Sequence, residues 1–176
     1  MIETERLLMR EWRAEDAAPF ARINAEPEVR RYLGIEGTRE ESAEAIERQQ
    51  ALQARLGHCF WALERKEDGA LLGFCGLRDG VPGSPVAEDV EIGWRLGLEY
   101  WGQGYAREAA AACLDWGFER LGVARIVSIT VPANARSWRV MERIGMERRP
   151  DLDFLHPALP EGHALSAHIT YVKERR

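Results

Sequence analysis

Lysine is almost missing from this chain: of its 24 basic residues, all but Lys66 and Lys173 are arginine. With no lysine between those two positions, a Walker phosphate loop, which needs Gly-x-x-x-x-Gly-Lys-[Ser/Thr], is excluded. Cysteine is scarce too. Cys59, Cys75 and Cys113 are odd in number, widely spaced and set in apolar surroundings, a pattern of buried thiols in a reducing compartment rather than of a disulfide framework. Long apolar stretches are lacking: the longest runs without Asp, Glu, Lys or Arg, Gly162 to Val172 and Ile126 to Ala135, fall far short of the ~20 residues of a spanning helix. Residues 1 to 6, Met-Ile-Glu-Thr-Glu-Arg, do not have the basic-then-apolar order of a secretory signal. The expectation is a cytoplasmic protein with no membrane partner. There is no Gly-x-Ser-x-Gly elbow, which argues against a serine hydrolase. The four histidines, His58, His156, His163 and His168, show no zinc-type pairing, so no metal is expected. There is also no excess of positive charge: 29 acidic residues give a net charge of −5, without the basic field that holds nucleic acid.

What is present is the balance of an ordinary globular protein, 45% hydrophobic and 30% charged, in a length that suits one domain over residues 1–176. Glu5 to Trp12 reads as a strand. Asp16 to Leu33 has helical spacing that Pro27 breaks in two. Thr38-Arg39-Glu40-Glu41 is a capping box that opens a polar helix running to about Leu56, where Gly57 ends it. His58 to Arg65 and Ala70 to Leu77 flank Glu67-Asp68-Gly69, a hairpin signal. Val81 to Ala87 is a Pro/Gly loop and Val90 to Leu98 a strand. Tyr105 to Leu121 carries small and apolar residues at helical spacing before Gly122. Arg125 to Val131 is a β-branched strand, Ala135 to Ile144 a helix stopped by Gly145, and Ser166 to Lys173 a closing strand. Between the last two, Asp151 to His163 is long for a connection: either a lid or a surface loop. Alternating strands and helices in the second half imply a mixed α/β sheet with local parallel pairing.

Glu91 to Ala109 is the informative segment. A strand runs into Trp101-Gly102-Gln103-Gly104-Tyr105-Ala106 and then a helix. Glycines let a tight turn form and a ligand approach, and the helix's unpaired first amides favour an anion such as pyrophosphate. A dinucleotide fingerprint would place a third glycine where Arg107 stands, and an acidic residue at the end of the next strand, where Val131-Pro132-Ala133-Asn134 offers none. By itself Gly-x-Gly is also compatible with an ordinary strand-to-helix turn.

Four segments, Thr4-Glu5-Arg6-Leu7-Leu8-Met9-Arg10, Glu91-Ile92-Gly93-Trp94, Tyr100-Trp101-Gly102-Gln103-Gly104-Tyr105-Ala106-x-Glu108-Ala109 and Asn134-x-x-Ser137…Glu142-x-x-Gly145-Met146, stand in an order that carries a resemblance. Together they resemble the GNAT N-acetyltransferases, nearest to their RimJ/RimL-like branch, named for acetylation of ribosomal-protein amino termini. The resemblance implies a mixed central sheet of about seven strands with flanking helices, in which the strands matching Val90 to Leu98 and Arg125 to Val131 splay apart around a thioester. It implies acetyl-CoA as cosubstrate, with the pyrophosphate on the amides of Trp101, Gly102, Gln103, Gly104, Tyr105 and Ala106, and the pantetheine arm on the backbone of Leu96. Asn134 matches a residue that holds pantetheine or an ordered water; an Asx turn capping the helix at Ala135 is the other reading, and the two are compatible. A homodimer is the family expectation. Two positions depart from the wider superfamily: Glu99 stands where Gln or Arg is usual, and Met141 where many relatives carry a tyrosine acid. That leaves Ser137, one turn earlier, as the nearest candidate proton donor, or as a plain helix hydroxyl.

The chemistry implied is direct attack of an amine on the thioester in a ternary complex. An α-amine with a pKa near ~8 is already partly neutral at pH 7, and a thiolate of pKa about 8.5 leaves readily, so positioning supplies most of the rate. Glu91 is the candidate base, acting through water, or a carboxylate that ties down a neighbouring strand. Trp94 and Trp101 are candidates to line the acceptor pocket. A domain that binds acyl-CoA without turnover, as a sensor, is the alternative to a transferase acting on a small-molecule or peptide amine.

Overall fold

In the computed structural model, which describes residues 1–175, the first half of the chain lays down antiparallel strands and the second half alternates strand and helix; residue 176 of the unit expected over 1–176 lies outside the described residues. The strands are β1 (Ile2–Glu3), β2 (Leu7–Arg10), β3 (Phe60–Arg65), β4 (Leu71–Asp79), β5 (Val90–Leu96), β6 (Arg125–Thr130), β7 (Glu147–Arg148), β8 (Phe154–Leu155) and β9 (Ala167–Glu174). They form one mixed sheet in the order β1-β2-β3-β4-β5-β6-β9-β7, with β8 further along β9. The sheet has nine strands against about seven expected. The strands read from the sequence match β2, β3, β4, β5, β6 and β9; β1, β7 and β8 are two-residue pieces too short for a period-2 pattern to show.

The helices are α1 (Ala17–Ala25), α2 (Pro27–Arg30), α3 (Arg39–Leu56), α4 (Tyr105–Leu121) and α5 (Ala135–Arg143). Pro27 occupies the first position of α2, where a missing amide costs nothing. The capping box at α3 forms as expected, Thr38 Oγ1 accepting from the Glu41 amide and the Glu41 carboxylate accepting from the Thr38 amide. Gly57 closes that helix at φ +75.

The helices sit on both faces of the sheet, which is why β3 and β4 are buried almost throughout. On one face α4 lays Ala109, Ala110, Cys113 and Gly117 against Leu77, Ile92, Leu96 and Ile126. These small residues let the helix approach closely: a Cβ at Gly117 would stand 2.8 Å from both Leu77 and Ile126. On the other face Trp12, Phe20 and Ile46 pack on Ala62, Leu71 and Phe74. A smaller cluster of Val86, Val127 and Val172, joined by Leu152 and Phe154, anchors the start of the 151–163 segment, which thus opens as a packed 3-10 turn and a short strand.

Candidate active site

β5 and β6 run parallel but pair through two couples, Val90↔Ile126 and Glu91↔Val127. From there β6 stays with β9 as far as Thr130, while β5 stays with β4 as far as Leu96. The sheet therefore forks immediately after Glu91. At the crotch Ser128 Oγ donates to the Ile92 carbonyl at 3.0 Å, a side chain standing where a backbone amide would continue the ladder. Strand alternation then turns the backbone groups of residues 92, 94 and 96 toward the gap. The Leu96 carbonyl accepts from the Trp101 indole at 2.8 Å, while the next amide, Gly97, points the other way to the Leu72 carbonyl. The amide and carbonyl of Trp94 and the amide of Leu96 thus line the gap with no strand beside them.

At the mouth of the fork the expected strand to Leu98 ends two residues early, and a 3-10 turn, Leu98–Tyr100, leads into the glycine turn. Gly102 and Gly104 have φ +77 and +85, the left-handed conformation that requires glycine here. Gly104 is the N-cap of α4 and has no side chain to cap it; the first intrahelical bond runs from the Glu108 amide to the Gly104 carbonyl. The amides of Tyr105, Ala106 and Arg107 precede that bond and face out of an exposed turn. Trp101 differs from expectation: its amide donates to the Leu98 carbonyl and its indole to Leu96, so it braces the turn and has no amide to offer a ligand. Gln103 is exposed, its side chain donating to the Glu99 carbonyl.

A cation that motif reading did not single out stands beside the turn. Arg6 donates from Nη1 to the Gln103 carbonyl at 3.1 Å, pairs with Glu108 and lies 4.5 Å over the Tyr105 ring. Burial pushes the Glu108 carboxyl up, but hydrogen bonds from Thr4 and Arg6 and the Arg6 charge outweigh it and hold it below the usual range. The signal was present, since Arg6 and Glu108 both belong to the quoted motifs; their pairing across 102 positions was not readable.

α5 begins on the other side of the gap. Arg136 lies 4.6 Å over the Trp101 ring, which brings the Asn134–Ser137 end of α5 against the glycine turn. Asn134 does not cap this helix: its Nδ2 donates to Thr130 Oγ1 at 3.1 Å, so the Asx-turn reading fails and the side chain is tied to the end of β6. Ser137 is half-buried in the first turn, its amide on the Asn134 carbonyl. Met141 is 1% exposed in the main core.

Glu91, Gly93 and Arg95 face away from α4, opposite to Ile92, Trp94 and Leu96. Trp94 consequently packs toward the α4 core, not on the face that carries Glu91. The Glu91 carboxylate is 5% exposed and both its oxygens lie 3.1 Å from Arg78 Nη2. Burial raises its pKa above the ordinary glutamate value, against the opposing pull of Arg78. It sits on the last residue before the fork. The thiols are unsuited to nucleophilic work: burial pushes Cys59 up to about 12 and raises Cys113. His156 and His168 come together with ring centroids 5.0 Å apart, while His58 lies elsewhere, beside Trp116. Among the described residues, no group of three or more His, Cys, Asp or Glu side chains is placed to hold a metal ion, and no helix is long and apolar enough to cross a membrane.

Comparison with known proteins gives this geometry a family. A family model described as an acetyltransferase (GNAT) domain matches residues 6–147. The chain belongs to the GNAT acetyltransferase family. It is 31% identical over 163 residues to the uncharacterized N-acetyltransferase YnaD of Bacillus subtilis, covering 92% of this chain and 89% of that one. The fold superposes on an acetyltransferase from Agrobacterium tumefaciens with a TM-score of 0.79 at 28% identity, over 99% and 94% of the two chains. It also superposes on RimL, a ribosomal L7/L12 α-N-protein acetyltransferase solved with coenzyme A, with a TM-score of 0.77 over 97% and 95% of the chains; at 15% identity this is a likeness of fold.

Proposed function

We propose that this chain transfers the acetyl group of acetyl-CoA to a primary amine by direct attack within a ternary complex, as a cytoplasmic enzyme of the RimJ/RimL-like branch. The observation that carries the reading is the fork after Glu91 with an uncapped glycine turn at its mouth: an extended arm with a diphosphate at one end matches both features at once. The amides of Gly102 to Arg107 and the α4 dipole hold the diphosphate, with Arg6 adding positive charge beside it. The free backbone groups of Trp94 and Leu96 pair with the amide-bearing arm as a strand would, and Asn134, fixed on Thr130, holds the arm or a water from the opposite side. Bound acetyl-CoA supplies an activated carbonyl and a good leaving group.

Glu91, acting through water, accepts the proton that the amine nitrogen loses as the C–N bond forms and the C–S bond breaks. Its raised pKa makes it a stronger base than an exposed glutamate. The same water chain or Ser137 returns a proton to the departing sulfur, so that acetylated amine and free thiol leave with no proton gained or lost overall. No cysteine is used, in keeping with the raised pKa values of Cys59 and Cys113. The test is to incubate the protein with acetyl-CoA and a panel of amines, peptide amino termini included, and to follow free thiol. Amine-dependent release supports transfer; CoA binding without release for any amine would leave an acyl-CoA-binding module instead.

A further inference from the structure

The face of β4 and β5 that points away from α4 carries an uncompensated positive charge. Phe60 and Phe74 stack face to face, with ring centroids 5.0 Å apart and planes 8° from parallel. Arg78 lies 5.0 Å over Phe60 and Arg95 lies 5.2 Å over Phe74. Two guanidinium groups thus flank one aromatic pair, and among the described residues a single carboxylate, Glu91, pairs with either of them. Arg95 has a neutral partner: its Nη1 donates to Asn24 Oδ1 at 2.8 Å, and Asn24, 2% exposed, is itself held by Ser42 through Nδ2. The Nε atoms of both arginines are buried with no hydrogen-bond partner. Burial and the nearby Arg78 charge push Arg95 down to about 10, the response of a cation that has a like charge beside it and no counter-ion.

An amide dipole orients a guanidinium without neutralising it, and a half-buried cation without an anion is costly. The planar fork of an arginine matches a carboxylate better than any other common group. Arg95 is half-buried, short of full enclosure, and Arg78, whose side chain is 38% exposed, leaves part of its fork open. The 151–166 segment approaches the loops beside this face. A Cβ at Gly83 would lie 3.9 Å from Pro157 and one at Gly34 4.0 Å from Leu165, and His156 lies within electrostatic reach of Arg78.

We infer that the acceptor is a small amine carrying a carboxylate, an amino acid in its free-acid form, whose anionic end is held by Arg95 with Arg78 while its amine faces Glu91. The inference rests on the acetyl-transfer reading for the direction of the amine, but the anion site itself can be tested without turnover. The protein, in the presence of CoA, is titrated by calorimetry with the common amino acids and with the carboxamide of each; thiol release from acetyl-CoA is followed for the same pairs. The amide has the less basic amine, so the chemical step alone favours it. The expected result is an acid that binds, and is turned over, at least about tenfold better than its amide. Arg95→Gln should erase that ratio while leaving CoA affinity within about twofold.

Because Arg95→Gln could loosen α1, Asn24→Asp is the second variant. It gives Arg95 an internal carboxylate at the same position, so the acid should lose its advantage in a protein that melts no lower. Equal binding of acid and amide, or an acid preference unchanged in Asn24→Asp, overturns the anion site. Acid-selective binding that Arg95→Gln abolishes, with no thiol released, upholds the site and sinks the transferase reading. Thiol release from amines with no acid preference does the reverse.

Discussion

Replacing Gly104 with leucine separates what the glycine turn does for the fold from what it does for a ligand. At φ +85 an L-residue is held in the left-handed region, which costs about 1–2 kcal/mol. The new Cβ would meet only Arg6 Nη2, at 3.4 Å, the movable end of an exposed side chain, so packing adds little. For a domain of this size that strain lowers Tm by roughly 2–8 °C. Gly122, at the other end of α4, has φ +67 and nothing within 4 Å of its would-be Cβ. Gly122→Leu therefore carries the same backbone strain far from the turn and serves as the matched control. A leucine side chain over the first amides of α4 blocks one or two charge-assisted hydrogen bonds to a phosphate, each worth roughly 1.5–3 kcal/mol. CoA affinity should fall about 10²-fold or more in Gly104→Leu and stay within about twofold in Gly122→Leu, measured by calorimetry with thermal melts of both. If the two variants bind CoA equally, the diphosphate does not lie on this turn.

The other expectations concern the core and the base. Arg10 binds Asp16 in a bidentate pair at 2.7 and 2.9 Å and also Glu64 at 2.6 Å, with Arg10 and Asp16 almost fully buried. Arg10→Met strands the Asp16 charge and should cost about 3–5 kcal/mol in denaturant unfolding; a loss below about 1 kcal/mol would show the network to be well hydrated. Glu91 holds its proton at pH values where a free glutamate has lost it, so turnover that needs its carboxylate falls as pH drops through that raised pKa. Glu91→Gln should cut kcat roughly 10²-fold or more and flatten the acid limb of the pH profile, and an unchanged limb would remove Glu91 as the base. Gly117→Ala gains about 1 kcal/mol in helix propensity but pushes Leu77 and Ile126 from 2.8 Å contacts. Overpacking of about 1–3 kcal/mol should win, and a raised Tm would mean that this core yields more easily than its spacing suggests.

Local signals in the chain carried most of the architecture, because they act over a few residues. Thr38 and Glu41 name the start of α3, Gly57 and Gly122 the ends of two helices, and Asp68-Gly69 the β3–β4 hairpin. The glycine turn between β5 and α4 was legible through motif resemblance, because several short patterns recur in the right order. The remainder depended on which residues meet across the fold. Arg6 finds Glu108 over 102 positions, Arg95 finds Asn24 over 71, and Ser128 finds Ile92 over 36. Nothing in a window of ten or twenty residues encodes such pairings. Trp101 was misread for a similar reason: a residue at the edge of a ligand turn has both an amide and an indole to spend, and the preceding 3-10 turn and strand claim both. Facing was the other gap. Glu91 and Trp94 lie on opposite sides of β5 because side chains alternate, and a single-residue change of register would exchange them.

The fork explains why candidate acid–base and binding groups gather at one place in a sheet otherwise filled with apolar side chains. A parallel pair that continued past Glu91 would use the backbone groups of Trp94 and Leu96 in its own ladder and leave none for a ligand. β6 separates instead, and it keeps its antiparallel partner β9 through Thr130, so parting from β5 sacrifices only a few hydrogen bonds while the β6–β9 ladder stays whole. Ser128 recovers one of those bonds with its hydroxyl and marks where the opening starts. The side chain on the last paired residue, Glu91, then sits at the apex, buried, paired with Arg78 and raised in pKa. On one face of β5 the free backbone edge leads to the glycine turn and α4. On the other the same strand carries Glu91 and Arg95, beside Arg78 of β4, toward the loops of the 151–166 segment. In the proposed function one strand would serve a donor on its edge and an acceptor on its face, with the distance between the two set by the pleat of β5 rather than by any movable loop.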